Sequence, residues 1–151
     1  MPIAPIPEGY PTVTSYLVVA NAAALIEFAQ RAFAATEVHR IKRPDGSVAH
    51  AEIRIGGSPV MLADASGQWK AMPSSLFIYC ADCDAMFQSA VAAGAAPVMQ
   101  PADQHHGDRM GGVLDTNGNY WWLATRRENL GSEELQRRAD AQFQRQRPAA
   151  S

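Results

Sequence analysis

The sequence predicts an α+β fold made of two βαβββ modules in tandem, with curved mixed sheets and one further helix near the C-terminal end. Three observations predict it. Short strand-like and helix-like segments follow one order in the first half, the same order returns in the second, and a single residue offset relates the two. The modules are expected at about 12–64 and 73–125 of a single domain spanning 1–151, and the last helix at about 132–146.

Each element has its own warrant. Val13–Val19 (VTSYLVV) is β-rich, and Asn21–Phe33 has helical apolar spacing behind an asparagine suited to accept from the first free amides. Two strand-like runs then flank Pro44, Asp45 and Gly46, a strong turn signal, and Gly56 and Gly57 lead into a further strand, SPVMLAD. In the second half SLFIYCA reads as a strand, CDAMFQSAVAAG as a helix closed by glycine, and APVMQP as a strand. After a loop of about a dozen residues, RMGGVLD and YWWLAT are strands joined through the turn Thr116–Asn119. Adding 61 carries Thr14 to Ser75, Leu25 to Met86, Gly57 to Gly118 and Leu62 to Leu123, a constant register that marks an internal repeat. Beyond Thr125, Ser132 reads as a helix cap followed by Glu133 and Glu134, with Leu135 and Phe143 forming a thin apolar stripe for docking.

Composition limits the classes of function. The chain of 151 residues is 47% hydrophobic, enough to bury a core, and its 13 basic and 15 acidic side chains leave a net charge of -2. That balance exerts no pull toward nucleic acid or acidic membranes. No apolar run reaches the roughly 20 residues that cross a bilayer, and the proline-rich start lacks the charged-then-apolar pattern of a secretory signal, so a cytoplasmic protein is expected. Cys80 and Cys83 form C-A-D-C with no second pair to complete a zinc site, and read as small apolar residues at a strand-to-helix junction.

The paired modules, and within them HAEIRIGGSPVMLAD, GDRMGGVLDTNGNYWWLAT and RRENLGSEEL, resemble the vicinal oxygen chelate superfamily, which includes glyoxalase I, extradiol dioxygenases and the fosfomycin and bleomycin resistance proteins. The likeness is strongest to its PhnB-like branch. In metal-using members each module offers one ligand from its first strand and one from its last. Laid over this chain, those positions are Thr14 and Met61 in the first module and Ser75 and Trp122 in the second. None of the four is a usual donor to a divalent metal, so no glyoxalase-type metal site and no cofactor are expected. The resemblance also implies a homodimer.

Strand alternation independently selects a concave face. Ala49, Ala51, Ile53 and Ile55 fall on one side of their strand, and His50, Glu52 and Arg54 on the other. The same rule sends Trp121 and Leu123 toward the helices, and leaves Phe77, Tyr79, Tyr120 and Trp122 to line one cup with His50 and Glu52. Aromatic walls with a few ionisable groups suit a small molecule.

Several candidates carry two readings. His50 and Glu52 are placed to share a metal or to act as base and neighbour, while the structural reading pairs Glu52 with Arg54 or Arg109 across the sheet. His105 and His106, with Asp103, form either a metal-binding loop or a solvated one leaning over the pocket mouth. Asp108 and Arg109 suit either an anion clamp or a structural salt bridge. Gly111, opposite His50 by the repeat, and Gly112 leave room for a bulge, another backbone or a ligand. The expected function is a metal-independent binding or sequestering module for an unidentified small molecule, with ligand contacts from Phe77, Tyr79, His106, Arg109, Tyr120 and Trp122. The alternative is a lyase, isomerase or dioxygenase-type enzyme. It would use a divalent metal on His50, Glu52 and His105 or His106, or metal-free acid/base catalysis with candidates His50, Glu52 and Arg109.

Overall fold

The structure, a computed structural model, describes residues 1–149. Module one runs β1 (Ser15–Val19), α1 (Ala22–Phe33), β2 (Thr36–Lys42), β3 (Val48–Ile55) and β4 (Ser58–Asp64). Module two repeats it as β5 (Ser75–Tyr79), α2 (Cys83–Ala92), β6 (Ala96–Asp103), β7 (Asp108–Leu114) and β8 (Tyr120–Arg126), and α3 (Ser132–Arg145) follows. The sheets are ordered β1-β4-β3-β2 and β5-β8-β7-β6. In each, the first strand runs parallel to the last and the other pairs are antiparallel. The two βαβββ modules and the added helix are those the sequence predicts.

Each module ties its helix to its last strand by the same device with different chemistry. The Asn21 side chain accepts from Ala24 N at 3.1 Å, and Asp64 Oδ1 takes Ala22 N at 2.7 Å, so two orphan amides of α1 are satisfied. In module two Asp82 accepts from Ala85 N at 3.1 Å, while Thr125 Oγ1 accepts from Cys83 N and donates to Cys80 O, both at 2.9 Å. Asp64 uses its second oxygen on Val48 N at 2.7 Å, binding β3 into the same junction.

A single hydrophobic core draws on both modules. Leu17, Leu25, Ile26, Ala51, Ile53 and Leu62 from the first join Phe87, Ala90, Val113, Trp121 and Leu123 from the second. Helices α1 and α2 pack on one another. The Phe33 ring meets the Trp121 indole at 4.8 Å across the module boundary. Trp121 is 1% exposed, as alternation requires.

The Asp115–Asn119 turn does more than reverse the chain. Asp115 Oδ1 accepts from Asn117 N at 2.8 Å and Asn119 N at 3.0 Å, and Oδ2 accepts from Asn119 Nδ2 at 3.1 Å and Trp121 Nε1 at 2.8 Å. Asn119 then accepts from Ser74 N at 2.9 Å, which fixes the start of β5, and Asn117 exchanges bonds with the Asn21 backbone in module one. Such convergence satisfies the buried carboxylate and the indole N–H together.

Three sequence expectations are corrected. The loop of about a dozen residues before β7 is a four-residue turn, 104–107, because β6 continues through Pro101 to Asp103. As an edge strand β6 tolerates proline, and its pairing shifts between Met99 and Ala102. The repeat offset is not constant either. It is 61 from Tyr16 to Phe77 and from Met61 to Trp122, but 60 from Glu52 to Gly112 and from His39 to Met99, as the pairings across each sheet show. Gly111 therefore matches Ala51, not His50. The longer β7–β8 turn restores the register. Lastly, Gly131 rather than Ser132 occupies the cap position of α3, without a side-chain bond. Among the described residues no helix is long and apolar enough to cross a membrane.

Replacing Asp115 by alanine should destabilise the protein by about 3 kcal/mol, since the buried indole N–H and the Asn119 amide lose their acceptor. Urea unfolding monitored by circular dichroism measures this, and a loss below roughly 1 kcal/mol would show that water or a neighbour replaces the carboxylate.

Candidate functional site

The residues predicted to line one cup divide between two faces. On module one, neighbours across the sheet form the row Tyr16, Met61, Glu52, His39; on module two the corresponding row is Phe77, Trp122, Gly112, Met99. His50 and Glu52 belong to the first face, and Phe77, Tyr79, Tyr120 and Trp122 to the second.

Module one's face is covered by the chain itself. The proline-rich segment before β1 lays Tyr10 over it, and the Tyr10 hydroxyl donates to Glu52 Oε2 at 2.5 Å, leaving Glu52 1% exposed. Arg54 stacks on the Tyr10 ring at 5.0 Å and donates to the Gly9 and Gly57 carbonyls. The expected pairing of Glu52 with Arg54 or Arg109 is thus replaced by a neutral donor 42 residues away. Glu52's carboxylate, with some burial, pushes the Tyr10 phenol above its usual pKa and keeps it protonated. His50 Nδ1 lies 3.1 Å from the Tyr16 hydroxyl, and its ring stacks on His39 at 5.3 Å. A cavity of about 390 Å³ remains between the segment and Thr14, His39, His50, Glu52 and Met61.

Module two's face is open. Phe77, Tyr79 and Tyr120 are 47%, 64% and 39% exposed. Tyr120 and Trp122, two apart on β8, hold their rings within 7° of parallel, and Phe77 and Tyr79 lie 5.0 Å apart. Glycine 112 makes this possible: a Cβ there would stand 2.5 Å from Trp122 Cε3 and Cζ3, so the indole rests on bare backbone. Gly111 serves another neighbour, the kinked β6, whose Met99 O and Pro101 ring would be 3.0 Å from its Cβ. The room predicted at this glycine pair is taken by protein.

Beside the aromatic face a groove of about 940 Å³ runs under the segment leading to α3. Tyr79, His106, Asp108, Arg126 and Glu128 give it polar character, and Leu130 and Leu135 an apolar side. Asp108 is 7% exposed; its Oδ2 accepts from the Tyr79 hydroxyl at 2.9 Å and faces His106 Nδ1 at 3.6 Å. That carboxylate, with burial, raises the Tyr79 pKa, so the phenol stays a donor. The groove's far wall is fastened by Arg138, which bonds Glu128 at 2.7 and 3.0 Å and Glu134 at 2.9 Å. Arg137 and Arg138 pull the Glu134 carboxyl down to about 2.

Arg109, expected at the ligand, points the other way. It meets Asp84 in the first turn of α2 with two bonds, at 2.7 and 3.0 Å, and approaches Asp103 at 3.4 Å. Alternation explains this: Asp108 and Met110 face the cup, so Arg109, Gly111 and Val113 face the helix. His105 sits at the β6–β7 hairpin tip, and its carbonyl accepts from Arg138 at 3.4 Å. The unusual metal set of His50, Glu52 and a loop histidine is not assembled, for these residues belong to different modules. Among the described residues no three His, Cys, Asp or Glu side chains converge.

The positions where the resemblance places metal ligands do meet in space. Trp122 Nε1 donates to Ser75 Oγ at 2.8 Å, and Thr14 and Met61 border the same cavity. Indole, hydroxyl and thioether are poor donors to a divalent cation, so these residues do not fit one. Cys83 is buried at the start of α2, and burial pushes the Cys80 thiol up, away from thiolate chemistry.

Residues 11–123 match the Glyoxalase/Bleomycin resistance protein/Dioxygenase superfamily. An uncharacterized protein of Mycobacterium bovis is 38% identical over 137 residues, covering 83% of this chain and 90% of that protein. Among solved structures, TioX from Micromonospora sp. ML1 superposes with a TM-score of 0.65 at 22% identity, over 77% of this chain and 98% of TioX. The putative 3-demethylubiquinone-9 3-methyltransferase, PhnB protein, from Bacillus cereus gives 0.61 at 18% identity, over 76% of this chain and 99% of its own. At these identities the structural likeness speaks to fold alone.

A Gly112→Ala substitution should dislodge the Trp122 indole, break its bond to Ser75 and cost about 1–3 kcal/mol. Tryptophan emission and urea unfolding report both effects; unchanged emission would mean that the ring does not rest on Gly112.

Proposed function

The chain belongs to the Glyoxalase/Bleomycin resistance protein/Dioxygenase superfamily, and from that premise we propose that it is a small-molecule binding or sequestering protein whose ligand lies on the concave face of module two. One observation carries the reading: exposed Phe77, Tyr79 and Tyr120 and half-buried Trp122 stand together on one sheet face, next to a groove with a few convergent polar groups. The near-parallel Tyr120 and Trp122 rings offer a platform for a flat apolar moiety. The adjoining Asp108, His106, Arg126 and Glu128 suit a polar appendage carrying hydrogen-bond donors and acceptors. The reading assigns no metal and no role in binding to Arg109.

A second reading, metal-free acid/base catalysis, is favoured by the shared Asp108 oxygen. A carboxylate facing His106 Nδ1 can fix the ring's tautomer and leave Nε2 for a substrate, with Tyr79 as neighbouring donor. This arrangement replaces His50, Glu52 and Arg109 as the catalytic candidates.

A thermal-shift screen of metabolites and antibiotics, followed by tryptophan-emission titration, tests the first reading. Trp122→Ala should weaken any ligand found by roughly tenfold or more, about 1.4 kcal/mol. Equal affinity in Trp122→Ala would remove the aromatic face from consideration. Conversion of the ligand, abolished by His106→Ala with binding retained, would select the second reading.

Homodimer formation is part of the proposal. Its support is the pair of sheet edges at β5 and β1, the second bonded at Val18 O by Met72 N, with Phe77 and Tyr16 exposed on those strands. Sedimentation velocity should show twice the 16.3 kDa chain mass, and a monomer at tens of micromolar would contradict it.

A further inference from the structure

The cover on module one is held in an unusual way. The segment that carries Tyr10 has prolines at 2, 5, 7 and 11, which lack the N–H a sheet needs, and it lies outside the strands. Residues 1–9 are exposed, and the superfamily match begins at residue 11. What docks the segment is the Tyr10 side chain, its ring against Arg54 and its hydroxyl onto Glu52, with one bond from Arg54 to the neighbouring Gly9 carbonyl. A carboxylate as buried as Glu52 is costly without a donor, so something must supply one at that spot. Module two places Gly112 at the matching row position and needs no such cover.

We propose that the concave face of module one is a second small-molecule site, selective for a phenolic hydroxyl donated to Glu52, and that Tyr10 is its exchangeable resident. Specificity comes from Glu52, which accepts the hydroxyl, while Thr14, Met61 and the stacked pair His39 and His50 shape the surrounding cavity. A site built to take a hydroxyl rejects the analogue without one, because the acceptor is then left buried and unpaired. The site shares no residue with the module two face, so either reading can fail without the other.

The probe is p-cresol, the tyrosine side chain as a free molecule, with toluene as its hydroxyl-free control. In the full chain, Tyr10→Ala should bind p-cresol at least roughly tenfold more tightly than the unaltered protein by calorimetry, and toluene no better than before. Adding Glu52→Gln to Tyr10→Ala should erase the preference for p-cresol. Equal binding of the two probes by Tyr10→Ala, or no gain over the unaltered protein, overturns the proposal. Should Tyr10→Ala fail to fold by circular dichroism, the unaltered protein decides. There p-cresol, and not toluene, should speed cleavage after Glu8 by a glutamate-specific protease as the segment leaves its seat, and an unchanged rate overturns the proposal.

Discussion

Asp115 organises more of this molecule than any other side chain. Its two oxygens gather the amides of Asn117 and Asn119, the Asn119 side chain and the Trp121 indole, and Asn119 passes the constraint on to Ser74 at the mouth of β5. Because β5 and β8 lie side by side in parallel, one fixed point at their shared end sets the register of both. A slip of one residue would exchange Trp121 for Trp122 between core and cup. The open aromatic face and the indole that fills the core against Phe33 thus depend on one desolvated carboxylate with its donors in place.

The halves keep a common frame and diverge in what they present on it. Both fasten a helix start to the last strand, one with a carboxylate from Asp64 and the other with the Thr125 hydroxyl. Both align four residues in a row across the sheet. In module one that row carries a buried acid beneath a tyrosine from outside the module; in module two it carries an indole lying on glycine. Packing against the shared core constrains the helix-facing residues, whereas the cup-facing ones answer mainly to whatever covers them. Chemistry can change on that face at little cost to the fold.

Local signals made most of the fold legible. Alternation separated Trp121 from Trp122 and Ala51 from Glu52, Asn21 announced a helix start, and the Pro44–Gly46 turn announced a hairpin. What escaped depends on distant partners. Nothing in the run before β1 has a period, so its docking on Glu52 left no trace except an isolated tyrosine among prolines. The partner of Arg109 is Asp84, 25 residues earlier on α2; applying alternation to β7 would have turned Arg109 toward that helix. The extension of β6 was hidden by Pro101, a residue that argues against a central strand but is acceptable at an edge. The register change between repeats was invisible because the lost residue and the gained one cancel by β8.

The prolines of β6 have a further effect on how copies of the chain can meet. Pro97 and Pro101 offer no amide to an approaching strand, and the kink between Met99 and Ala102 breaks the straight rim on which a neighbour would align. Lateral growth of that sheet is blocked on one flank and left open at β5. Strand addition to the module two sheet is thereby confined to the β5 rim, and a sheet that can be extended from one side only does not propagate into a ribbon.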